Sequence, residues 1–356
     1  MMTEPSIERP GLPKVSALVL CRNERDFIEA CLESIIGQDF PSERLEVLVV
    51  DGMSTDGTRE IIDGYARAHA HIRRVDNLRK FIPFAYNVGI QNSCGDLVMI
   101  MSAHATYDRH YIRRCVEASI AYNADNVVGV MKIQPRTPTW PARAIVLAMS
   151  HPFGVGNASY RTGLCRRPTW VDTGAFGCLK RKVFDEVGLY NERLLRGEDM
   201  EFNYRLKKKG YKTLLIPDAI VHYSARSDLQ SFVRHNFLNG MWVILPFQHT
   251  TTLPVAWRHL IPLAFVTSLM GSLLLTVFVP ALAIAPLLLT AAYVLADLFF
   301  SVKIALREQQ PRFLFLMPVV FASFHISYGL GSLWGIVKSA FVGSFWANLR
   351  TMVKNR

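Results

Sequence analysis

The chain has 356 residues, of which 50% are hydrophobic, and a formal net charge of +11. Apolar residues concentrate between Leu260 and Val302, which excludes a chain that is soluble throughout. The basic residues are scattered, and several flank the apolar region, where anionic lipid headgroups would attract them, so nucleic acid is not an expected partner. The six cysteines lack Cys-x-x-Cys spacing and other metal patterns, as is typical of reduced thiols.

The first predicted elements alternate between strands and helices. The apolar run from Val15 to Leu20 predicts a strand, and Phe27 to Ile36 has helical spacing. The order repeats with a strand over Leu45 to Val50 and a helix over about Thr58 to His69, and a third strand covers Leu97 to Met101. Such alternation is typical of a parallel α/β sheet.

A polar loop follows each predicted strand. Asn23 and Glu24 follow the first strand. Asp51 opens an Asp-Gly-Met-Ser-Thr-Asp-Gly-Thr loop after the second, and a Ser-Ala-His sequence ending at His104 follows the third. Open α/β sheets bind ligands where parallel strands end at their carboxyl edge. We therefore expect Asp51 and His104 to approach one crevice.

The middle of the chain has a different composition. Thr137 to Pro168 is rich in proline, glycine and arginine with little periodicity, which predicts a long functional loop. Beyond it, Glu198 and Asp199 stand just before an amphipathic helix that begins at Met200.

Two apolar stretches predict a helical hairpin through a membrane. Leu260 to Val279 and Ala281 to Val302 each supply the roughly 20 residues that a spanning helix needs. A third stretch, from Phe313 to about Lys338, contains a histidine and several glycines, and the pattern leaves open whether it spans or lies at the interface. Residues 1–14 lack the apolar core of a signal peptide, and basic residues lie between the second and third stretches. Both features predict a cytosolic first domain.

The order and spacing of these motifs resemble family 2 glycosyltransferases over roughly residues 14 to 245, most closely the succinoglycan-type, membrane-associated glucosyltransferases. The resemblance implies an α/β domain with the GT-A (Rossmann-like) fold that binds a nucleotide-sugar. The motifs that carry it are Asn23-Glu24, the loop opened by Asp51, Gly95-Asp96, Gly154-x-Gly156, Val171 to Gly177, Gly188 to Glu192 and Glu198 to Leu206.

The resemblance and the composition together predict five segments of the chain. These are an N-terminal tail (1–14), the GT-A domain (15–230), an interfacial amphipathic segment (231–259), two to three transmembrane helices (260–338) and a basic C-terminal tail (339–356).

The donor site is predicted from the first two loops. The resemblance implies that Asp51 accepts hydrogen bonds from the nucleobase and ribose of the donor, and that Asn23, Glu24, Ser54 and Asp56 belong to the same site. The alternative for Asp51 is an aspartate that only organises the loop. Asp56 is also expected to cap the following helix.

The third loop departs from the family pattern. Family members carry an Asp-x-Asp motif there, whose carboxylates hold a divalent ion against the donor diphosphate, whereas here Ser102 replaces the first aspartate and His104 the second. An imidazole suits Mn²⁺ better than Mg²⁺. We expect His104 to bind one of these ions, with direct contact to the diphosphate as the alternative. His222 is a candidate for a second ligand, a diphosphate contact or a structural residue.

Inverting sugar transfer requires a general base for the acceptor hydroxyl and positive charge for the departing diphosphate. Asp199 matches the family's base, although an acidic pair also favours a helix N-terminus through its dipole. The acceptor or diphosphate side is predicted to contain Glu198, Arg226, Arg234 and Trp242.

These expectations predict a hexosyltransferase on the cytoplasmic face of the inner membrane. The donor implied by the resemblance is a UDP-sugar, and the acceptor is a polyprenyl-diphosphate saccharide in exopolysaccharide or surface-glycan synthesis. A polyprenyl-phosphate sugar synthase is the nearest alternative. A non-catalytic nucleotide-sugar-binding membrane protein and a transporter are the alternatives from other classes.

Overall fold

The computed structural model describes residues 11–225, 227–250 and 256–354. Across these ranges, nine strands form one mixed sheet with helices on both faces. The strands are β1 (Val15–Cys21), β2 (Leu45–Asp51), β3 (Ile72–Asp76), β4 (Leu97–Ser102), β5 (Ala105–Tyr107), β6 (Asn126–Pro135), β7 (Thr169–Val171), β8 (Cys178–Lys180) and β9 (Thr213–Ala225).

The helices fall into a group that covers the sheet and a C-terminal group. The first group is α1 (Arg25–Ile36), α2 (Thr58–Ala68), α3 (Ile82–Asn92), α4 (Tyr111–Ala121), α5 (Trp140–Ser150), α6 (Pro152–Val155), α7 (Ser159–Thr162), α8 (Lys182–Val187) and α9 (Glu198–Lys208). The second group is α10 (Leu229–Ile244), α11 (Ile261–Phe278), α12 (Ile284–Glu308), α13 (Phe313–Ala340) and α14 (Gly343–Lys354).

The sheet order is β3-β2-β1-β4-β8-β6-β9-β5, with β7 beside β9. The pairs β3–β2, β2–β1 and β1–β4 are parallel, whereas β8 is antiparallel to both β4 and β6. The predicted parallel α/β arrangement is therefore confirmed for the first four strands. Their carboxyl ends lie at one edge, where β1, β2 and β4 lead into the three polar loops.

Strand β1 shows how one apolar run supplies two cores. Val15, Ala17 and Val19 pack with α1 and α4, whereas Leu18 packs on the other face among residues of α3 and α9. Successive side chains of a strand point to opposite faces. Burial on both faces explains why the sequence reads as continuous rather than alternating hydrophobicity.

The prediction of a long loop over 137–168 is wrong, because α5, α6 and α7 occupy most of it. Thr139 caps α5, its side chain accepting a hydrogen bond from the backbone N–H of Ala142 at 3.4 Å. The buried face of α5 includes Ile145 and Ala148, which pack with Phe232 of α10 and with residues of α12 and α13. Proline in the first turn of a helix removes no hydrogen bond that the helix needs, so composition alone is a poor guide here.

Three helices are long and apolar enough to cross a membrane: Trp257–Phe278, Pro280–Glu308 and Phe313–Ala340. The third candidate is thus a continuous helix, and α13 is also the most buried of the three, because α10, α11 and α12 all contact it. Helix α14 lies within the predicted C-terminal tail.

Helices α10 and α13 touch backbone to backbone. A Cβ atom added at Gly240 of α10 would lie 2.0 Å from the carbonyl oxygen of Tyr328, and one added at Gly331 of α13 would lie 2.0 Å from that of Phe237. Small residues permit such approach between helices. The placement of residues 231–259 at a membrane interface remains a prediction, and within it α10 buries one face against α13.

Candidate functional site

The loops after β1 and β2 are hydrogen-bonded to each other. The backbone N–H of Asn23 donates to the Ser54 hydroxyl at 2.8 Å, and the N–H of Thr55 donates to the Asn23 side-chain oxygen at 2.9 Å. Asn23 has φ of 53°, a conformation that asparagine tolerates better than most residues. Asp56 accepts the backbone N–H groups of the first residues of α1 and α2, each at 3.1 Å, in agreement with its predicted capping role.

Asp51 ends β2 with its side chain fully buried, at 0% exposure. Its carboxylate accepts the Ser54 N–H at 3.1 Å and pairs with Arg59 at 3.0 Å. Arg59 also pairs with Asp76, the last residue of β3, at 3.1 Å. Asp51 therefore organises the loop, and direct contact with a nucleobase would require it to exchange one of these partners. Its role in donor binding stays a prediction.

The loop after β4 joins the same edge through one contact. Glu24 Oε1 accepts a hydrogen bond from His104 Nδ1 at 2.9 Å, and the backbone N–H of Glu24 donates to the Thr58 hydroxyl at 3.0 Å. The carboxylate acceptor places the proton of a neutral His104 on Nδ1, which leaves Nε2 as the nitrogen with a free lone pair. The structure thus brings together the three polar loops.

His222 does not join His104. It bonds Asp108 through Nε2 at 2.9 Å and Gln134 through Nδ1 at 3.0 Å, so both ring nitrogens are engaged. The next residue, Tyr223, packs its ring 5.0 Å from the His104 ring. Successive residues of β9 face opposite sides of the sheet, so His222 lies on the other side. The geometry does not support His222 as a second metal ligand.

Within the described ranges no group of three or more His, Cys, Asp and Glu side chains could hold a metal ion. His104 nevertheless has the features of a single ligand, because a carboxylate orients its ring and its second nitrogen remains available. The Ser102 hydroxyl lies 3.4 Å from both ring nitrogens. His104 and Ser102 fit an ion that takes its remaining ligands from a bound diphosphate. They do not fit an ion that is enclosed by protein ligands.

Asp199 occupies the N-terminal turn of α9, which follows Gly197 in a left-handed conformation. Its carboxylate accepts the Met200 N–H at 2.8 Å. Protein surrounds the residue, but the side chain is accessible because it faces a cavity. Burial raises the pKa of Asp199, while the Met200 N–H and the positive charge of Arg161 oppose that rise. A raised pKa makes this carboxylate a stronger base than an ordinary aspartate.

Glu198 is buried beside Asp199, with 7% exposure. Burial and the negative charge of Asp199 raise the pKa of Glu198 to about 8. Two carboxyl groups this close titrate as a unit, and the more deeply buried Glu198 is the one that keeps its proton.

The cavity that Asp199 faces has a volume of about 680 Å³ and lies between the sheet domain and the C-terminal helices. The C-terminal helices contribute an aromatic wall, which we define as Phe265 of α11, Tyr293 of α12 and Phe324 of α13. The polar residues on its lining include Arg161, Arg196, Asp199, Tyr223, His235, Asn239, Arg258 and His325. A ligand in this space would touch both the carboxylate and the candidate membrane helices.

Comparison with known proteins identifies the family. Residues 16–188 match the family described as Glycosyl transferase family 2. Succinoglycan biosynthesis protein ExoA of Rhizobium meliloti (strain 1021) is 30% identical over 304 residues, which cover 84% of this chain and 89% of that protein. The chain belongs to glycosyl transferase family 2. It is therefore a glycosyltransferase, as the motifs predicted.

Two further proteins each align with 91% of the chain. A relative from Methanococcus voltae is 26% identical over 330 residues, covering 91% of this glycosyltransferase and 97% of that protein. Its name is dolichyl N-acetyl-alpha-D-glucosaminyl phosphate 3-beta-D-2,3-diacetamido-2,3-dideoxy-beta-D-glucuronosyltransferase. The mannosyltransferase PcManGT from Pyrobaculum calidifontis, solved with GDP-Man and Mn²⁺, aligns with a TM-score of 0.57 at 20% identity, covering 91% of this chain and 88% of that one. The predicted GT-A fold is confirmed.

Of the four residues predicted for the acceptor or diphosphate side of the glycosyltransferase, the structure places two at the cavity or beside Asp199. Trp242 lines the cavity, and Glu198 lies beside Asp199. Arg234 is on the exposed side of α10, outside the cavity lining, and Arg226 lies outside the described residues. Sequence reasoning missed the lining arginines, because they stand in α7, in the turn before α9 and just before α11. Their shared location arises only from packing.

Proposed function

We propose that this glycosyltransferase transfers a hexose, with inversion, from a UDP-sugar to a polyprenyl-diphosphate saccharide in exopolysaccharide or surface-glycan synthesis. The observation that carries the proposal is the cavity, which places the Asp199 carboxylate and three candidate membrane helices around one space. The saccharide head of such an acceptor must reach the carboxylate, and its lipid tail needs the apolar helices. The name of the Methanococcus voltae relative contains a dolichyl-linked sugar, which supports a lipid-linked acceptor, and the succinoglycan relative supports a role in exopolysaccharide synthesis.

In the proposed reaction Asp199 removes the proton of the acceptor hydroxyl, which then attacks the donor sugar from the face opposite the nucleotide diphosphate. The raised pKa of Asp199 supports this role. The buried, protonated Glu198 leaves the negative charge of the pair on Asp199.

The donor is proposed to lie along the edge formed by Asn23, Glu24, Asp51 and Ser54. His104 is the protein residue that would hold Mn²⁺ or Mg²⁺, with Ser102 beside it. Such an ion, when bound, stabilises the charge of the leaving diphosphate. Glu24 fixes the His104 ring whether that ring meets the ion or the diphosphate itself.

The proposed location is the inner membrane, with the sheet domain on the cytoplasmic side. Lys303 and Arg307 near the end of α12, and Arg312 just after it, support this orientation through the positive-inside tendency. Nucleotide-sugars are available on that side.

The test is transfer from radiolabelled UDP-hexoses to a native lipid extract by the full-length protein. Asp199→Asn should lower kcat by about 10²-fold or more and leave UDP affinity unchanged, because only proton removal is lost. Asp185→Asn makes the same chemical change at an exposed position of α8 and should match the wild type. Near-native turnover of Asp199→Asn would remove the residue from its proposed role.

The labelled product separates the two lipid-linked candidates. Mild acid should release a saccharide of two or more sugars if the acceptor is lipid-linked saccharide. Release of the single labelled hexose would instead identify a polyprenyl-phosphate sugar synthase.

A further inference from the structure

Three arginines of the described ranges line the cavity, and they differ in their partners. Arg258 pairs with Asp172 at 3.1 Å, and Arg196 donates to the Asn239 side-chain oxygen at 3.0 Å. Arg161 donates through Nε to the Tyr160 hydroxyl at 3.1 Å. In the part of the chain that the structure describes, no carboxylate lies within 4.0 Å of the Arg161 guanidinium.

Arg161 is enclosed by protein and is partly accessible where it lines the cavity. A guanidinium cannot lose its charge at neutral pH, and an enclosed charge without a counter-ion is costly. Asp199 acts on it only from beyond salt-bridge distance. The arrangement therefore has room and charge for an anion supplied by a ligand.

The anion that fits best is a phosphate attached to an apolar chain. The aromatic wall lines the same cavity, and its members Phe265 and Tyr293 stack with 4.7 Å between ring centroids. These residues belong to three helices that are long and apolar enough to span a membrane. A free nucleotide diphosphate would gain little from such a wall.

We propose that Arg161 binds the phosphate next to the lipid chain of the acceptor, and that the aromatic wall holds the first apolar units of that chain. This rests on the proposed function and extends it by naming the phosphate-binding residue and the path of the chain. The reactive hydroxyl of the acceptor would then lie near Asp199, whose carboxylate is within electrostatic reach of Arg161.

The experiment measures binding, not transfer, on the full-length protein in detergent micelles. Calorimetry compares farnesyl phosphate with farnesol, which has the same chain and no phosphate, and measures UDP on the same samples. The wild type should bind farnesyl phosphate more tightly than farnesol. Arg161→Met should lose about 10-fold or more of the affinity for farnesyl phosphate, as expected when a hydrogen-bonded charge pair is removed.

Three comparisons make the result specific. Farnesol and UDP should bind Arg161→Met as they bind the wild type, and unchanged UDP affinity also shows that the variant is folded. Arg161→Lys keeps the charge and should retain part of the phosphate preference. Arg166→Met, an exposed arginine in the same segment, should behave as the wild type.

Unchanged farnesyl phosphate affinity in Arg161→Met would overturn the proposal. Loss of UDP affinity with unchanged farnesol affinity in that variant would also overturn it, because the protein would be folded and Arg161 would then serve the donor diphosphate. Neither affinity measurement depends on turnover. A wild type that binds farnesyl phosphate through Arg161 but transfers no sugar to lipid would therefore refute the proposed function and leave the role of Arg161 standing.

Discussion

Replacing Gly240 with alanine should force α10 away from α13. The added Cβ atom would lie 2.0 Å from the Tyr328 carbonyl oxygen, and real Cβ atoms essentially never approach closer than 3.0 Å. The helices must therefore separate by about 1 Å, the difference between these two distances. The obstacle is backbone, so no side-chain rotation can relieve it.

The cost has two parts of opposite sign. Alanine favours the helix over glycine by about 1 kcal/mol. Overpacking costs about 1–3 kcal/mol, and a gap of up to 1 Å forfeits as much as half of the dispersion energy of the facing atoms. We expect a net destabilisation of about 2 kcal/mol, which lowers the unfolding midpoint of a 356-residue chain by about 3 °C.

The same shift should reduce activity, because Asn239 and Trp242 flank Gly240 and line the cavity. A displacement of about 1 Å can lower turnover by about 10²-fold. Thermal unfolding in detergent and acceptor-dependent turnover measure the two effects. Gly271→Ala is the matched control, because that helical glycine of α11 has no atom within 4 Å of its added Cβ. If Gly240→Ala were as stable and active as this control, the backbone contact would not exist as described.

Three further predictions concern the loops and the base. Asp51→Ala should lower both stability and UDP affinity, because the buried carboxylate holds its loop together; calorimetry with unchanged UDP affinity would place the nucleotide elsewhere. Ser102→Asp should tighten the binding of Mn²⁺ or Mg²⁺ by adding an anionic ligand beside His104, and His104→Ala should abolish metal-dependent turnover; full activity of both proteins in chelator would contradict this. Burial raises the pKa of Asp199 above 3.8, the ordinary value of an aspartate. As the pH falls, kcat should therefore begin to decline at a higher pH than it would with an ordinary aspartate as the base. Glu198 is already protonated over that range, so Glu198→Gln should leave this decline at nearly the same pH, which pH–rate profiles of both proteins would show or refute.

The sheet edge that holds the three polar loops could be predicted from sequence because its determinants are local. The apolar runs of β1, β2 and β4 end at polar loops, and parallel strands must bring those ends together. The contact between Glu24 and His104 follows from that rule, although its 2.9 Å geometry does not.

The cavity that Asp199 faces could not be predicted in the same way. Arg161 and Arg258 are far apart in the chain and line one cavity because the chain just before α7 contacts the chain just before α11, where Arg258 donates to the Asn157 side-chain oxygen at 3.1 Å. The error over residues 137–168 has the same origin, since the apolar face of α5 is matched by α10 and α13 and not by neighbours in sequence. His222 is different: a sequence-based assignment of β9 would have placed it and Tyr223 on opposite faces.

The segment α5–α7 also determines where this enzyme could be recombined with relatives. Phe153 of α6 accepts a hydrogen bond from His325 Nε2 of α13 at 2.9 Å, and His325 Nδ1 accepts one from the Tyr293 hydroxyl of α12, also at 2.9 Å. A chimera joined at about residue 230, between the sheet domain and the helices, would cut this connection and combine a foreign α6 with native α12 and α13. A junction near residue 136, after β6, keeps α5–α7 with the helices they contact and exchanges β1–β6 and α1–α4. Foreign β5 and β6 must then pair with native β9. Under the proposed function, donor preference should therefore move with the residues up to β6, and acceptor preference should move only with everything that follows β6.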